Sequence, residues 1–167
     1  MARGAPGLRP FLPADAATLA ALFRVSIETL AAEDYDEDQR AAWISAADDE
    51  DAFAAQLGEA LTVVALVDGE IAGFASLKDN TDFDMLYVRP DLAGQGVGSA
   101  LADAIEKLAD ARGTKTLSVD ASDAARDFFA ARGYVAKTRN TKEIAGQWLG
   151  NTTMTKELAA EAAGRAH

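Results

Sequence analysis

The sequence predicts an α/β domain built on a mixed, mostly antiparallel sheet of about six to seven strands flanked by helices. Three observations carry this. Residues 15–32 place apolar side chains at helical spacing. Residues 61–67, LTVVALV, are rich in β-branched residues and stop at Asp68-Gly69, a hairpin turn signal. Beyond residue 88, a glycine-rich turn opens onto a helix and strands then alternate with helices, so the sheet is not built of hairpins alone.

Each element follows from local chemistry. Residues 8–12 read as a first strand ended by Pro13, and Asp15 reads as the N-cap of a helix whose stripe is Leu19, Leu22, Phe23, Ser26, Ile27 and Leu30. Asp36 is positioned to cap a second helix carrying Trp43, and Asp49 a third with Phe53 and Leu57. Strand 70–78 returns from the Asp68-Gly69 turn, Asn80 marks another turn, and 82–88, DFDMLYV, alternates as a strand. A helix over 97–112 shows Leu101, Ala104, Ile105 and Leu108 on one side and stops at Arg112-Gly113. Then come a strand over 114–120, a helix over 122–132 ended by Gly133, and strands over 134–140 and 150–157. The ends, 1–6 and 159–167, read as frayed, leaving one domain without linker or repeat.

Composition excludes several chemistries. The chain of 167 residues has no cysteine, so disulfides, thiolate metal sites and a cysteine acyl-enzyme are ruled out. Its single histidine is His167 at the terminus, which argues against a Ser-His-Asp triad and a histidine metal site, and no metal is expected. The net charge of -11 repels phosphate backbones, so no nucleic-acid partner is expected; it weakly favours a cationic acceptor such as an amine. With no secretory signal and no apolar run near the roughly 20 residues of a membrane span, the expected location is cytoplasmic.

The informative segment is LYVRPDLAGQGVGSAL, residues 86–101. Glycines at 94, 96 and 98 precede a helix whose first N–H groups are unpaired, the local chemistry of an anion cradle. A P-loop would need a lysine before Ser99, and here Gly98 stands there. A dinucleotide fingerprint fails in both registers, with Ser99 or Leu101 where the third glycine belongs, although Asp120 ends a strand at a tempting distance. The segment instead resembles the acetyl-CoA motif of the GNAT superfamily of N-acetyltransferases: a strand, the Val88-Arg89-Pro90 step, then Gly96 and Gly98 at the motif's glycines. Ala93 departs from the motif's leading Arg or Gln. Asp34-Tyr35, Ala42-Trp43, IAGFASL at 71–77 and Ala121 through Phe129 further resemble one group of GNAT-domain proteins.

The resemblance implies a sheet splayed at the fourth strand, with acetyl-CoA as cosubstrate. It implies cofactor contacts from Leu86, Tyr87 and Val88, from Ala93, Gly94, Gln95, Gly96, Val97, Gly98 and Ser99, and from Ser122 and Phe129. Ser122 and Phe129 occupy positions where the family usually has Asn and Tyr. Direct attack by an amine in a ternary complex is the implied scheme. Asp82 and Asp84, two apart on a strand, are the base candidates, though two acids at a strand start also read as a solvated end. Phe129 has no proton to give, so Tyr87 and Tyr134 are the acid candidates. Tyr35 and Trp43 are candidates for walling the acceptor pocket. Loss of the usual tyrosine also leaves open a non-catalytic acyl-CoA-binding module, and the C-terminal edge strand offers a surface for a homodimer.

Overall fold

Residues 5–158 are described by a computed structural model. The expected frayed ends, apart from Ala5 and Pro6, and His167 lie outside the described residues. In chain order the elements are β1 (Gly7–Pro10), α1 (Ala16–Leu30), α2 (Glu37–Ile44), α3 (Glu50–Glu59), β2 (Leu61–Val67), β3 (Glu70–Lys78), β4 (Asp82–Val88), α4 (Val97–Ala111), β5 (Thr116–Ser122), α5 (Arg126–Ala131), β6 (Val135–Ile144) and β7 (Gln147–Glu157). The strands form one sheet in the order β1-β2-β3-β4-β5-β7-β6. Every neighbour is antiparallel except β4 and β5.

Two apolar clusters sandwich the sheet. On one face the α4 stripe of Val97, Leu101, Ala102, Ile105 and Ala109 packs with Leu77, Phe83, Leu117 and Phe129. On the other, Leu19, Phe23 and Ile27 of α1 and Phe53 and Leu57 of α3 pack with Phe74 and Met85. β3 lies between them, buried from Ala72 to Leu77. Gly73 is required there by close approach: a Cβ would stand 2.8 Å from the Tyr87 carbonyl oxygen.

The expected caps hold at α2 and α3, where Asp36 accepts from the Gln39 N–H and Asp49 from the Ala52 N–H. Asp15 stands at the α1 N-cap position as expected, but its side chain makes no capping bond there; it ends a short 3-10 turn, Pro13–Asp15, accepting the Leu12 N–H at 2.8 Å and a bidentate pair from Arg9 at 2.7 and 2.9 Å. Several boundaries also move. β5 runs on to Ser122, α5 shortens to six residues, and the last two strands lengthen to meet at Ala145-Gly146, both at positive φ. The sequence hides that hairpin because β6 is an edge strand exposed along most of its length, so it carries no apolar alternation.

The decisive irregularity lies in β4. Ser76 pairs with Met85 and Leu77 with Phe83, so Asp84 is an extra residue, a β-bulge. The bulge sends Phe83 into the α4-side cluster and Met85 into the α1-side cluster, where simple alternation would place both on one face. β4 then pairs with β5 only at Asp82–Ser118 and Phe83–Val119. Beyond those two pairs the strands part, while β3–β4 pairing continues to Val88. The splay at the fourth strand is therefore present, and it begins at the bulge.

Candidate active site

The parting of β4 from β5 opens a cleft of about 500 Å³. One wall is the end of β4, Leu86, Tyr87 and Val88, whose edge toward β5 has no strand partner. The floor at one end is the α4 start, with Ala93, Gly94, Gly96, Gly98 and Ser99. Ser122, Ala124, Ala125 and Phe128 close the opposite wall, and Ser26, Ile27, Leu30 and Ala31 of the α1 region cover it with Trp43. Leu30 belongs to the α1 stripe yet is 41% exposed because it lines this cleft.

The α4 N-terminus carries no side-chain cap, unlike those of α2 and α3. Gly96, its N-cap, has φ 86°, and Gly94 has φ 79°. Both glycines line the cleft, and a left-handed conformation there carries no Cβ penalty. Among the described residues, the N–H groups of Val97, Gly98 and Ser99 find no protein acceptor; the first bonded one is Ala100, to the Gly96 carbonyl. Positive helix-dipole charge and bare donors thus meet at one end of an otherwise apolar channel.

A smaller hollow of about 190 Å³ lies against the cleft and shares Trp43, Tyr87 and Ser122 with it. Its remaining lining includes Tyr35, Asp84, Asp120, Lys142 and Leu149. The two spaces therefore meet at Tyr87. That ring is held by Phe23, Phe74 and Trp43, with centroids at 4.7, 5.6 and 6.3 Å. Burial pushes its hydroxyl well above the usual phenol range; the nearby Trp43 indole pulls the other way, and the Asp84 carboxylate adds to the rise.

The structure separates the sequence candidates. Leu86, Tyr87, Val88, Ala93, Gly94, Gly96, Gly98, Ser99 and Ser122 line the large cleft. Gln95 and Val97 do not: Gln95 is exposed, and Val97 is core at 1% exposure. Phe129 is also core, 2% exposed between Phe83, Phe128 and Tyr134. Its neighbour Phe128 is the ring on the cleft wall, 3.5 Å from where a Gly98 Cβ would stand. Tyr134 lies away from both spaces, 3% exposed, with its hydroxyl donating to Glu106 at 2.9 Å. Asp82 and Asp84 share a polar cleft with Asp120, but only Asp84 and Asp120 also reach the hollow beside Tyr87. Tyr35 is 4% exposed; its hydroxyl donates to the Gly150 carbonyl at 2.5 Å and accepts the Asp123 N–H at 2.9 Å, tying the α1–α2 connection to β7 and the β5–α5 turn. Lys142 and Phe128 are lining residues the sequence did not single out. The sequence marks Asp120 only as a tempting ribose contact for a dinucleotide site, and it lies within β5 rather than at its end.

The family model described as Acetyltransferase (GNAT) domain matches residues 31–158. The chain belongs to the GNAT acetyltransferase family. It is 31% identical over 147 residues to the uncharacterized N-acetyltransferase YafP of Escherichia coli K12, covering 88% of this chain and 93% of that one. A GCN5-related N-acetyltransferase from Rhodopseudomonas palustris superposes with a TM-score of 0.92 at 59% identity, over 94% of this chain and 98% of that one. The PaiA N-acetyltransferase of Thermoplasma acidophilum, solved in complex with coenzyme A, shares the fold at a TM-score of 0.76 and 19% identity, over 92% and 99% of the two chains. As a GNAT member the chain is an acyltransferase. Among the described residues no group of acids is arranged to hold a metal ion, and no helix is long and apolar enough to cross a membrane.

Proposed function

We propose that this GNAT protein transfers an acetyl group from acetyl-CoA to a primary amine of a small molecule or peptide, by direct attack in a ternary complex. The observation that carries the reading is the meeting of two spaces at Tyr87: an apolar channel ending in bare helix N–H groups, and a hollow ending in carboxylates. The pyrophosphate lies on Gly94, Gly96, Gly98 and Ser99, where charge-assisted bonds contribute roughly 1.5–3 kcal/mol each. The pantetheine arm follows the unpaired edge of β4 from Leu86 to Val88, with Phe128 and Leu30 packing on it. Ala93 supplies no side-chain contact, so phosphate recognition rests on main-chain donors.

The thioester then sits beside Tyr87, and the amine enters from the hollow. Its nitrogen bonds to the thioester carbon as the carbon–sulfur bond breaks. The amine proton passes to Asp84 or Asp120, directly or through water, and the departing thiolate takes the Tyr87 proton. Tyr87 is replenished from solvent, so the products are an amide and a free thiol. Phe129 lies in the core rather than on the cleft, so its lack of a proton does not bear on this step. In the test, free thiol is followed while the protein is incubated with acetyl-CoA and a panel of primary amines, with coenzyme A binding measured by calorimetry. Turnover of some amines supports the reading. Coenzyme A binding with no turnover on any amine would replace it with a non-catalytic acyl-CoA-binding module.

A further inference from the structure

The hollow beside Tyr87 carries opposite charges that do not neutralise one another. Asp84 reaches it from β4, Asp120 from β5 and Lys142 from β6, the last fixed across from Leu149 in the closing hairpin. Among the described residues, Asp84 is met only by the Gln56 amide at a long 3.4 Å, and Asp120 takes one hydrogen bond, from the Thr153 hydroxyl at 2.6 Å. Both carboxylates keep acceptor capacity. Lys142 has no hydrogen bond and no ion pair within 4.0 Å among the described residues. Arg9, Arg89, Arg132, Arg139 and Lys156 are engaged with carboxylates, whereas Lys142 and Lys78, the latter lining the adjoining polar cleft with Asp84 and Asp120, make no ion pair among the described residues. Lys142 faces a hollow containing two acids and pairs with neither.

Separated charges of opposite sign across a small hollow are complementary to a molecule that carries both signs. Resting on the acetyl-transfer reading above, we propose that the acceptor is an amino-acid-like zwitterion, its amino group facing Asp84 and Asp120 and its carboxylate held by Lys142. A diamine would set its second ammonium against Lys142. A simple alkylamine would leave Lys142 unanswered. A hollow of about 190 Å³ has room for one amino acid, whereas drug-sized ligands take about 300–1,000 Å³. Trp43, Ile144 and Leu149 provide apolar lining for a side chain.

The test measures kcat/KM with acetyl-CoA for each common L-amino acid against its own carboxamide and its decarboxylated amine. For the acceptors turned over, the carboxylate member should lead its amide by about tenfold or more, the loss expected when a charge-assisted bond is removed. Lys142→Gln should bring the carboxylate down to the level of the amide, chiefly through KM, and Lys142→Arg should restore the preference. Lys142 is exposed on an edge strand, so these variants keep the fold. Amines or amides equal to or better than the amino acids would overturn this inference and leave acetyl transfer standing. Lys142→Gln lowering all acceptors equally would overturn it as well. Failure of every acceptor in this set while coenzyme A still binds would overturn this inference, and turnover of any other primary amine in the panel above would leave acetyl transfer standing.

Discussion

Tyr87→Phe isolates the proton from the ring. Phe23, Phe74 and Trp43 grip the ring of Tyr87 edge-on or tilted, and phenylalanine preserves those contacts. The substitution removes one hydroxyl, so stability should change by only about 1 kcal/mol. Chemistry should change more. A hydroxyl donating to a developing thiolate in a desolvated cleft contributes about 1.5–3 kcal/mol, or roughly 10–150-fold in kcat. The KM for acetyl-CoA should move little, because the diphosphate contacts are elsewhere. The pH profile gives a second readout. Burial raises the Tyr87 pKa, so the hydroxyl keeps its proton across the range in which the enzyme is assayed, up to about pH 10. Its loss should therefore lower the plateau without moving either limb. Stopped-flow detection of free thiol in single turnovers, from about pH 6 to 10, separates the chemical step from product release. A kcat within threefold of wild type, or an alkaline limb that shifts in Tyr87→Phe, would refute the assignment.

Four further variants test the frame of the site. Gly98→Glu projects a carboxylate past Phe128 and Val88 into the α4 end of the cleft; differential scanning fluorimetry should show an intact fold and no stabilisation by coenzyme A, against about 2.7 kcal/mol for wild type at a hundredfold excess over Kd. Tyr35→Phe strands the Gly150 carbonyl and the Asp123 N–H, and urea melts should show a loss of about 2–4 kcal/mol. Gly73→Ala drives a methyl against the Tyr87 carbonyl and the side chains of Leu101 and Val97, which should cost about 1–3 kcal/mol in the same assay. The Arg9 hydrogen bonds hold the Asp15 carboxyl below its usual range, so its stabilisation is full above about pH 4 and lost as pH falls further. Asp15→Asn should cost about 1 kcal/mol at pH 7 after solvent screening and little at pH 2.

The elements legible in the sequence are those whose punctuation is local. Asp68-Gly69 delivers both positive φ values of a tight hairpin turn, so β2 and β3 fall where the sequence puts them. Asp36 and Asp49 cap by short-range bonds that need no tertiary context. The β6–β7 turn was hidden because Ala145 carries one of its positive φ values, which few non-glycine residues adopt. With residues 141–149 read as a loop, Lys142 could not be placed on a strand beside the acids. The choice between Phe128 and Phe129 was equally hidden. Adjacent helical positions point about 100° apart, and a six-residue helix has too few apolar positions to fix its phase.

The bulge at Asp84 joins these readings physically. A transferase of this kind needs a reactive centre inside a sheet, yet a sheet interior is closed by its own backbone pairing. One extra residue in β4 resolves the conflict. It comes just where β4 leaves β5, after Phe83, and frees the polar edge of Leu86–Val88 for a ligand. It puts Met85 beneath α1, in the cluster against which Tyr87 also packs, and leaves the Asp84 carboxylate at the mouth of the hollow. Deleting Asp84 would make Phe83 and Met85 adjacent in an unbroken ladder, still on opposite faces, so Met85 and Tyr87 keep their places while the bulge and its carboxylate are lost together. Asp84→Asn removes the charge and keeps the bulge. Because the strands part at the bulge, the deletion should weaken coenzyme A binding, measured by calorimetry, as well as acetyl transfer, whereas Asp84→Asn should lower transfer alone. Unchanged coenzyme A binding in the deletion variant would show that the opening of β4 from β5 does not depend on the extra residue.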